Sequence, residues 1–582
     1  MQDRIIDRTS SGQLTRRSAF KSVAAGGLAI VAATTDSHTA IAQGEEAISI
    51  ADIAASNKVA GLTYREADRT LMLRTVSRMR GSLKAIRAAE ISDFTEPAFH
   101  FDPLIPGTKL PLVRSSTAPA YTKLKEVVYN GNIESVAFYT VLELAYLIHK
   151  RKITSTELTK MYLARLKKFG PRLNCVVNLT EELALRQAEQ ADKEIVSGKY
   201  RGPLHGIPWG AKDLLHATGY PTTYGAKPYE KQISKFDATV VDRLNKAGAV
   251  LVAKLSMGEL AMGDTWFGGL TRNPWKPSTG SSGSSAGPGS ATAAGLVAFA
   301  IGSETLGSIV SPSTVNGTTG LRPTYGRVPR TGAMALSWTM DKLGPMTRSV
   351  EDCAAVLSAI YGRDDIDLSV PNVPFHWDAG TKLSTLRIGY DKVAWQAIEK
   401  SEKRWPIYKA VRDTLEKMNI KLIPVELPKP SEAYGGLPGL IIDVEGAASF
   451  QKLNMSGNLD MLAQQREGSW PNTFRVGSTI PAADYINAMR LRSQLQVEMQ
   501  TALSSVDCFV TIPFLSPNLQ YTNLTGHPTL VTRCGMLDGN PQMIEFTGQL
   551  YREDAILLVA NAYEHATEWH KQWPDTENIP TL

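Results

Sequence analysis

Between Gly280 and Arg327 the chain reads GSSGSSAGPGSATAAGLVAFAIGSETLGSIVSPSTVNGTTGLRPTYGR. Two clusters of Gly and Ser flank a small-residue segment, Ala291 to Ile301, which is apolar enough to lie buried. The clusters cannot fill a core. What they offer is backbone: N–H groups able to face a ligand at close range. A serine set among such amides is a candidate nucleophile. The amides can hold the negative oxygen that forms when a hydroxyl attacks a carbonyl.

The rest of the chain narrows the class. With 582 residues, 43% hydrophobic and 21% charged, it has ordinary globular composition and length for a large core. Net charge is +6; the first 42 residues hold five Lys/Arg and three acids, leaving +4 for the remainder. That is too little basic excess to suggest nucleic acid as a partner. No CxxC or clustered His/Cys pattern suggests a metal. Cys175, Cys353, Cys508 and Cys534 lie far apart, so their spacing assigns no pairing. Buried free thiols are the plainer expectation, with a disulfide open in an oxidising compartment.

Residues 1–42 read as an export signal. Arg16 and Arg17 precede an apolar run from about Val23 to Ala33, and Ala40-Ile41-Ala42 offers a small-x-small cleavage site. The pattern resembles a twin-arginine signal with its aromatic, Phe20, one place late. The apolar run falls short of the roughly 20 residues that span a bilayer. The expectation is an exported, periplasmic or extracellular protein with no stable membrane insertion.

Residues 43–132 read as a helical extension and linker. Helices are expected over Ser49–Asn57 and Tyr64–Glu90, the second with Leu71, Leu73, Val76, Met79 and Leu83 near helical spacing. A Pro-rich stretch follows over 98–118. Capping the main domain, forming a homodimer and completing the core are the roles open to this region. From about Ile133 helices alternate with short apolar strands. Thr154-Ser155-Thr156-Glu157 is a capping box that opens a helix towards Phe169. A further helix covers Glu181–Val196 and another Pro406–Met418. Strands are expected at Ala249–Ala253, Leu386–Tyr390, Lys421–Val425 and Cys508–Ile512. This alternation implies an α/β domain over 133–582: a mixed, mostly parallel twisted sheet covered by helices on both faces.

Outside the Gly/Ser stretch, one segment carries chemistry: Gly202-Pro-Leu-His-Gly-Ile-Pro-Trp-Gly-Ala-Lys-Asp213. Lys212 ends an apolar run, where burial would disfavour its charged form and leave a neutral amine able to act as a base. Taken alone, a surface lysine is the plainer reading. Three histidines, His205, His216 and His527, offer a second base, but no Gly-x-Ser-x-Gly elbow accompanies them. Asp213 and Arg322 read as structural hydrogen-bonding groups. Trp266 and Phe267 suit an acyl pocket or core packing equally, as do Met334, Trp338 and Met340.

Taken together, Lys212, Gly283-Ser-Ser-Ala-Gly287, Gly302-Ser-Glu-Thr-Leu-Gly-Ser-Ile309, Gly320-Leu-Arg-Pro-Thr-Tyr-Gly-Arg327, Asp341-Lys-Leu-Gly-Pro-Met346 and Gly526-His-Pro528 resemble the amidase signature family. The resemblance covers roughly residues 133–575. It implies a Ser–cis-Ser–Lys unit that hydrolyses a carboxamide with no cofactor. Ser308 would be the nucleophile, Ser284 the bridging serine behind a cis Gly283–Ser284 peptide, and Lys212 the base. The amides of Thr305, Leu306, Gly307 and Ser308 would form the oxyanion hole. Two departures stand out: Glu304 where the family commonly has Asp, and Leu306 where it commonly has Gly. The implied substrate is a small-molecule amide. Two other enzyme readings share the scaffold: an esterase or urethanase, and the glutamine-hydrolysing component of a tRNA-dependent amidotransferase, which an export signal argues against. A binding protein on a dead scaffold would have lost a catalytic residue, and all three are present.

Overall fold

In the computed structural model, residues 47–88 and 118–581 are described, together with residues 95, 99–108 and 110. The export pattern at residues 1–42 lies outside them. The chain divides into two compact units, residues 1–90 and 91–582.

In the first unit a helix over Ile50–Val59 starts at Ser49, whose hydroxyl and the Asp52 carboxylate cap each other's backbone N–H groups. A longer helix follows over Glu66–Ala88. The second unit begins before the alternating pattern: Phe101 is buried, edge-on to Tyr325 and beneath the Arg492 guanidinium.

Among the described residues, thirteen strands run through the second unit: β1 Val176–Leu179, β2 Pro208–Lys212, β3 Val250–Leu255, β4 Thr265–Trp266, β5 Gly269–Leu270, β6 Phe299–Glu304, β7 Thr319–Arg322, β8 Lys342–Thr347, β9 Ile388–Asp391, β10 Ile423–Val425, β11 Cys508–Thr511, β12 Thr529–Leu537 and β13 Asn540–Gly548. Eleven form one mixed sheet in the order β1-β3-β2-β6-β8-β7-β12-β13-β11-β9-β10, while β4 and β5 make a separate hairpin. Parallel pairings run through β3-β2-β6 and through β11-β9-β10. Antiparallel pairings link these two runs across the middle of the sheet.

The α/β alternation expected from the sequence is the observed fold. The Thr154 capping box forms as its spacing requires, with Glu157 N–H donating to Thr154 Oγ1 and Thr154 N–H donating to the Glu157 carboxylate. β3, β9, β10 and β11 fall where apolar runs placed strands. The small-residue segment, Ala291 to Ile301, is buried as expected: it runs from the end of a fully buried helix, Ala286–Ala293, into the fully buried β6. All four cysteines are buried and free. No helix among the described residues is long and apolar enough to cross a membrane.

Because β2 and β6 run parallel, their carboxyl ends emerge on the same side. Lys212 closes β2 and Glu304 closes β6. In sheets of this type the crevice beyond the carboxyl ends of parallel strands is where ligands bind.

Candidate active site

The parallel register pairs Ala211 of β2 with Ile301 of β6, which brings Lys212 beside Ser303. Lys212 has no solvent exposure. Its Nζ lies 2.8 Å from Ser284 Oγ, 3.0 Å from Ser285 Oγ, 2.9 Å from Ser303 Oγ and 3.3 Å from the Ser303 carbonyl. Among the described residues no carboxylate bonds to it. Burial therefore drives its proton affinity well below that of an ordinary lysine, and the more distant Asp341 and Glu304 charges only partly oppose this.

The Gly283–Ser284 peptide is cis. Gly283 passes so close to the Gly263 carbonyl that a Cβ there would sit 1.7 Å from its oxygen, so no other residue fits. The Ser284 carbonyl accepts Gly258 N–H, and Ser285 N–H donates to the Ser308 carbonyl at 3.2 Å. This last bond joins the two Gly/Ser clusters. Ser308 is 7% exposed against 1% for Ser284 and none for Lys212, so it is the most open of the three.

Ser284 and Ser285 both touch the amine, but their protons are differently placed. Ser285 Oγ donates to the Ser303 carbonyl and accepts Ser303 N–H, both at 3.1 Å. Its one proton is committed, so towards Lys212 it can only accept. Ser284 is under no such constraint. A neutral amine can donate to Ser285 and Ser303 and still offer its lone pair to the Ser284 hydroxyl. The arrangement can therefore pass a proton from Ser284 to Lys212.

Beyond β6 the chain turns at Thr305, Leu306, Gly307 and Ser308. Gly307 takes φ +90°, a conformation costly for any residue with a Cβ. Leu306 stays out of that left-handed region, so a side chain there costs the backbone nothing. Among the described residues, none of the four amides in this turn finds a protein acceptor, whereas the next two, Ile309 and Val310, both donate to Glu304 Oε2. Glu304 also accepts from Arg322 at 2.7 Å and Asn523 at 2.8 Å. Burial would raise its pKa, but the Arg322 and Lys342 charges and the amide bonds outweigh this and hold it at about 2. Thr305 Oγ1 donates to Asp341, which also accepts the Leu336 and Ser337 amides.

A cavity adjoins this turn. Ser303, Thr305 and Asp341 line its polar side; Leu214, Met334, Leu336, Trp338 and Leu343 line its apolar side. Arg330 also reaches it, bonded to Asp367 at 3.0 Å. Trp266 and Phe267 are placed elsewhere, in the β4–β5 region and edge-on to each other with centroids 4.8 Å apart; Trp266 Nε1 donates to the Asn174 carbonyl. Met340 is buried in core.

The histidines stay apart from the serines. His205 faces Glu194 at 3.4 Å, His216 bonds Tyr224 and His527 bonds Thr525. Burial pushes His216 down to about 4 and His527 down to about 3, so both stay neutral. Asp213 pairs with Lys254 at 2.8 Å, and Arg322 ties Glu304 to the His527 carbonyl. Both act as the structural groups the sequence suggested. The sequence assigns no individual role to Ser303, Asp341 or Lys342. The signal for Ser303 is the β2–β6 pairing, which sets it beside Lys212.

The profile of the family described as Amidase matches residues 157–549. A curated glutamyl-tRNA(Gln) amidotransferase subunit of Methylococcus capsulatus is 32% identical over 75% of this chain and 98% of its own length. The solved native peptide amidase of Stenotrophomonas maltophilia is 30% identical with a TM-score of 0.69, over 76% of this chain and 100% of that one. A bacterial aryl acylamidase of the amidase signature enzymes, 20% identical over 77% of this chain and 99% of that one with a TM-score of 0.66, shares the fold. With a match across most of its length and relatives at this level, the chain belongs to the amidase signature family.

Proposed function

We propose that the protein is an exported serine amidase that hydrolyses a carboxamide through an acyl-enzyme on Ser308. The observation that carries this reading is the Lys212 environment: a buried amine ringed by hydroxyls and a carbonyl, 2.8 Å from Ser284 and with no bonded carboxylate among the described residues. Neutral Lys212 takes the Ser284 proton while Ser284 takes the Ser308 proton, and Ser308 Oγ attacks the carbonyl carbon. The carbonyl π pair moves onto oxygen, where the unengaged amides of the Thr305–Ser308 turn receive it. On collapse the C–N bond breaks and the relay returns the proton to the leaving amine. Water then attacks the ester, using the same relay in the same order, and frees the acid.

The curated relatives favour one competing reading, the glutamine-hydrolysing component of an amidotransferase. One experiment separates the two. In cells expressing the full chain, amide hydrolysis is expected in the periplasmic fraction, with Ser308 labelled by a fluorophosphonate; Ser308→Ala is expected to lose both. Activity confined to the cytosol, dependent on co-purifying amidotransferase components, would favour the competitor. Full hydrolysis by purified Ser308→Ala would end the acyl-enzyme reading. Parallel assays with matched aryl amide and aryl ester substrates distinguish amidase from esterase.

A further inference from the structure

Lys342 opens β8 directly opposite Glu304, the residue that closes β6. Its side chain is buried, and its Nζ donates to the Thr305 carbonyl at 3.4 Å. Its neighbour Asp341 accepts the Thr305 hydroxyl at 2.5 Å. Thr305 is thus held at two points, by two consecutive residues of one segment. In a trans peptide the carbonyl and the following N–H point in opposite directions. Fixing the Thr305 carbonyl towards Lys342 therefore turns the Leu306 N–H away from Lys342. At the other end of the turn Glu304 holds the Ile309 and Val310 amides. The unengaged amides of Leu306, Gly307 and Ser308 lie between these two anchors.

We propose that Lys342 is a positioning residue for amide hydrolysis, which fixes the Thr305–Leu306 peptide so that the Leu306 N–H faces the developing oxyanion. It touches neither substrate nor nucleophile. The proposal rests on the acyl-enzyme reading above.

The test compares Lys342→Met and Lys342→Arg with the unaltered mature protein. Active sites are counted by fluorophosphonate labelling, and kcat and KM are measured per labelled site on an aryl amide that the enzyme turns over. An oxyanion donor contributes mainly in the transition state, so the Met variant is expected to lose about tenfold to a hundredfold in kcat with KM within about twofold. Arg, which keeps a donor, is expected to recover most of that loss. A purely structural lysine would change the fraction of labelled sites and the Tm while leaving kcat per site unchanged, and that result overturns the proposal. If the Met protein does not fold, Lys342→Gln decides: its shorter side chain cannot span the gap, so the same kcat loss is expected, and an unchanged kcat overturns. Ser308→Ala serves as the control. Turnover by Ser308→Ala defeats the acyl-enzyme reading itself. An inactive Ser308→Ala beside an unchanged Lys342→Met defeats only the role of Lys342.

Discussion

Two lysines lie near the carboxyl ends of neighbouring strands, Lys212 closing β2 and Lys254 one residue before the end of β3; they share the same burial, yet their surroundings differ. Lys254 on β3 meets the Asp213 carboxylate at 2.8 Å, and both side chains are fully buried. Lys212 on β2, one residue before that same Asp213, meets among the described residues only hydroxyls and a carbonyl. Burial lowers the proton affinity of each, but for Lys254 the bonded carboxylate opposes the effect. Residue type and burial therefore do not distinguish a structural lysine from the proposed base. The partner does: a bonded carboxylate retains the proton, and a ring of hydroxyls lets it leave.

The sharpest way to break this contrast is Lys212→Met. Turnover is expected to fall by on the order of 10⁴-fold, as when one member of a cooperating catalytic unit is removed. Ser284→Ala should come close behind. Stability should move the other way. Lys212 titrates well below the ordinary lysine value of 10.5 in the folded chain, so the unfolded chain holds the extra proton. Wild-type stability thus falls as pH drops from about 10.5 towards the folded value, and the Met variant should lack that slope. Thermal unfolding from pH 10.5 down to neutral checks this: the same pH slope of Tm in Lys212→Met as in wild type would show that the amine keeps its ordinary titration in the fold. The same titration sets the acid limb of kcat/KM, which should rise with pH through a value below the usual lysine range.

Lys254→Met should show the opposite pattern. It leaves Asp213 buried without its ion-pair partner, a loss of about 3–5 kcal/mol. Denaturant unfolding measures this, and kcat per labelled site should change little. A large fall in kcat at unchanged stability would mean that both lysines serve the chemistry. Replacing both members of the pair, Lys254→Met with Asp213→Leu, should recover much of the lost stability, since neither charge is then left alone.

Much of this is legible in the sequence, and the gaps have physical causes. Lys212, Ser284 and Ser308 sit in segments whose density of Gly, Ser and Pro is unusual for a helix or strand, which is why they stand out in the sequence. Ser303 does not, because its place beside Lys212 follows from the pairing of β2 with β6, a contact between strands 91 positions apart. The β12–β13 hairpin escapes a reading of periodicity although Asp538-Gly539 is a strong turn signal, since β12 and β13 are largely buried on both faces and show no clean alternation. The helices between Glu432 and Ala502 escape it for a related reason. Gly435, Gly436, Pro438 and Gly439 disguise the first as a loop, yet Ser431 caps it and it runs to Ser449.

Ser285 offers the smallest and most discriminating effect. It lies 3.0 Å from Lys212, close to the 2.8 Å of Ser284, so distance alone does not separate the two serines. Proton placement does. With its hydroxyl hydrogen on the Ser303 carbonyl, Ser285 would anchor the amine and stay outside the proposed relay. Ser285→Ala removes one hydrogen bond to Lys212 and leaves the path through Ser284 whole. A net hydrogen bond is worth about 1 kcal/mol, so kcat should fall by about fivefold to tenfold, far less than for Ser284→Ala. Equal losses at the two positions, measured per labelled site, would show that Ser285 carries the proton as well and that the amine can draw on either hydroxyl.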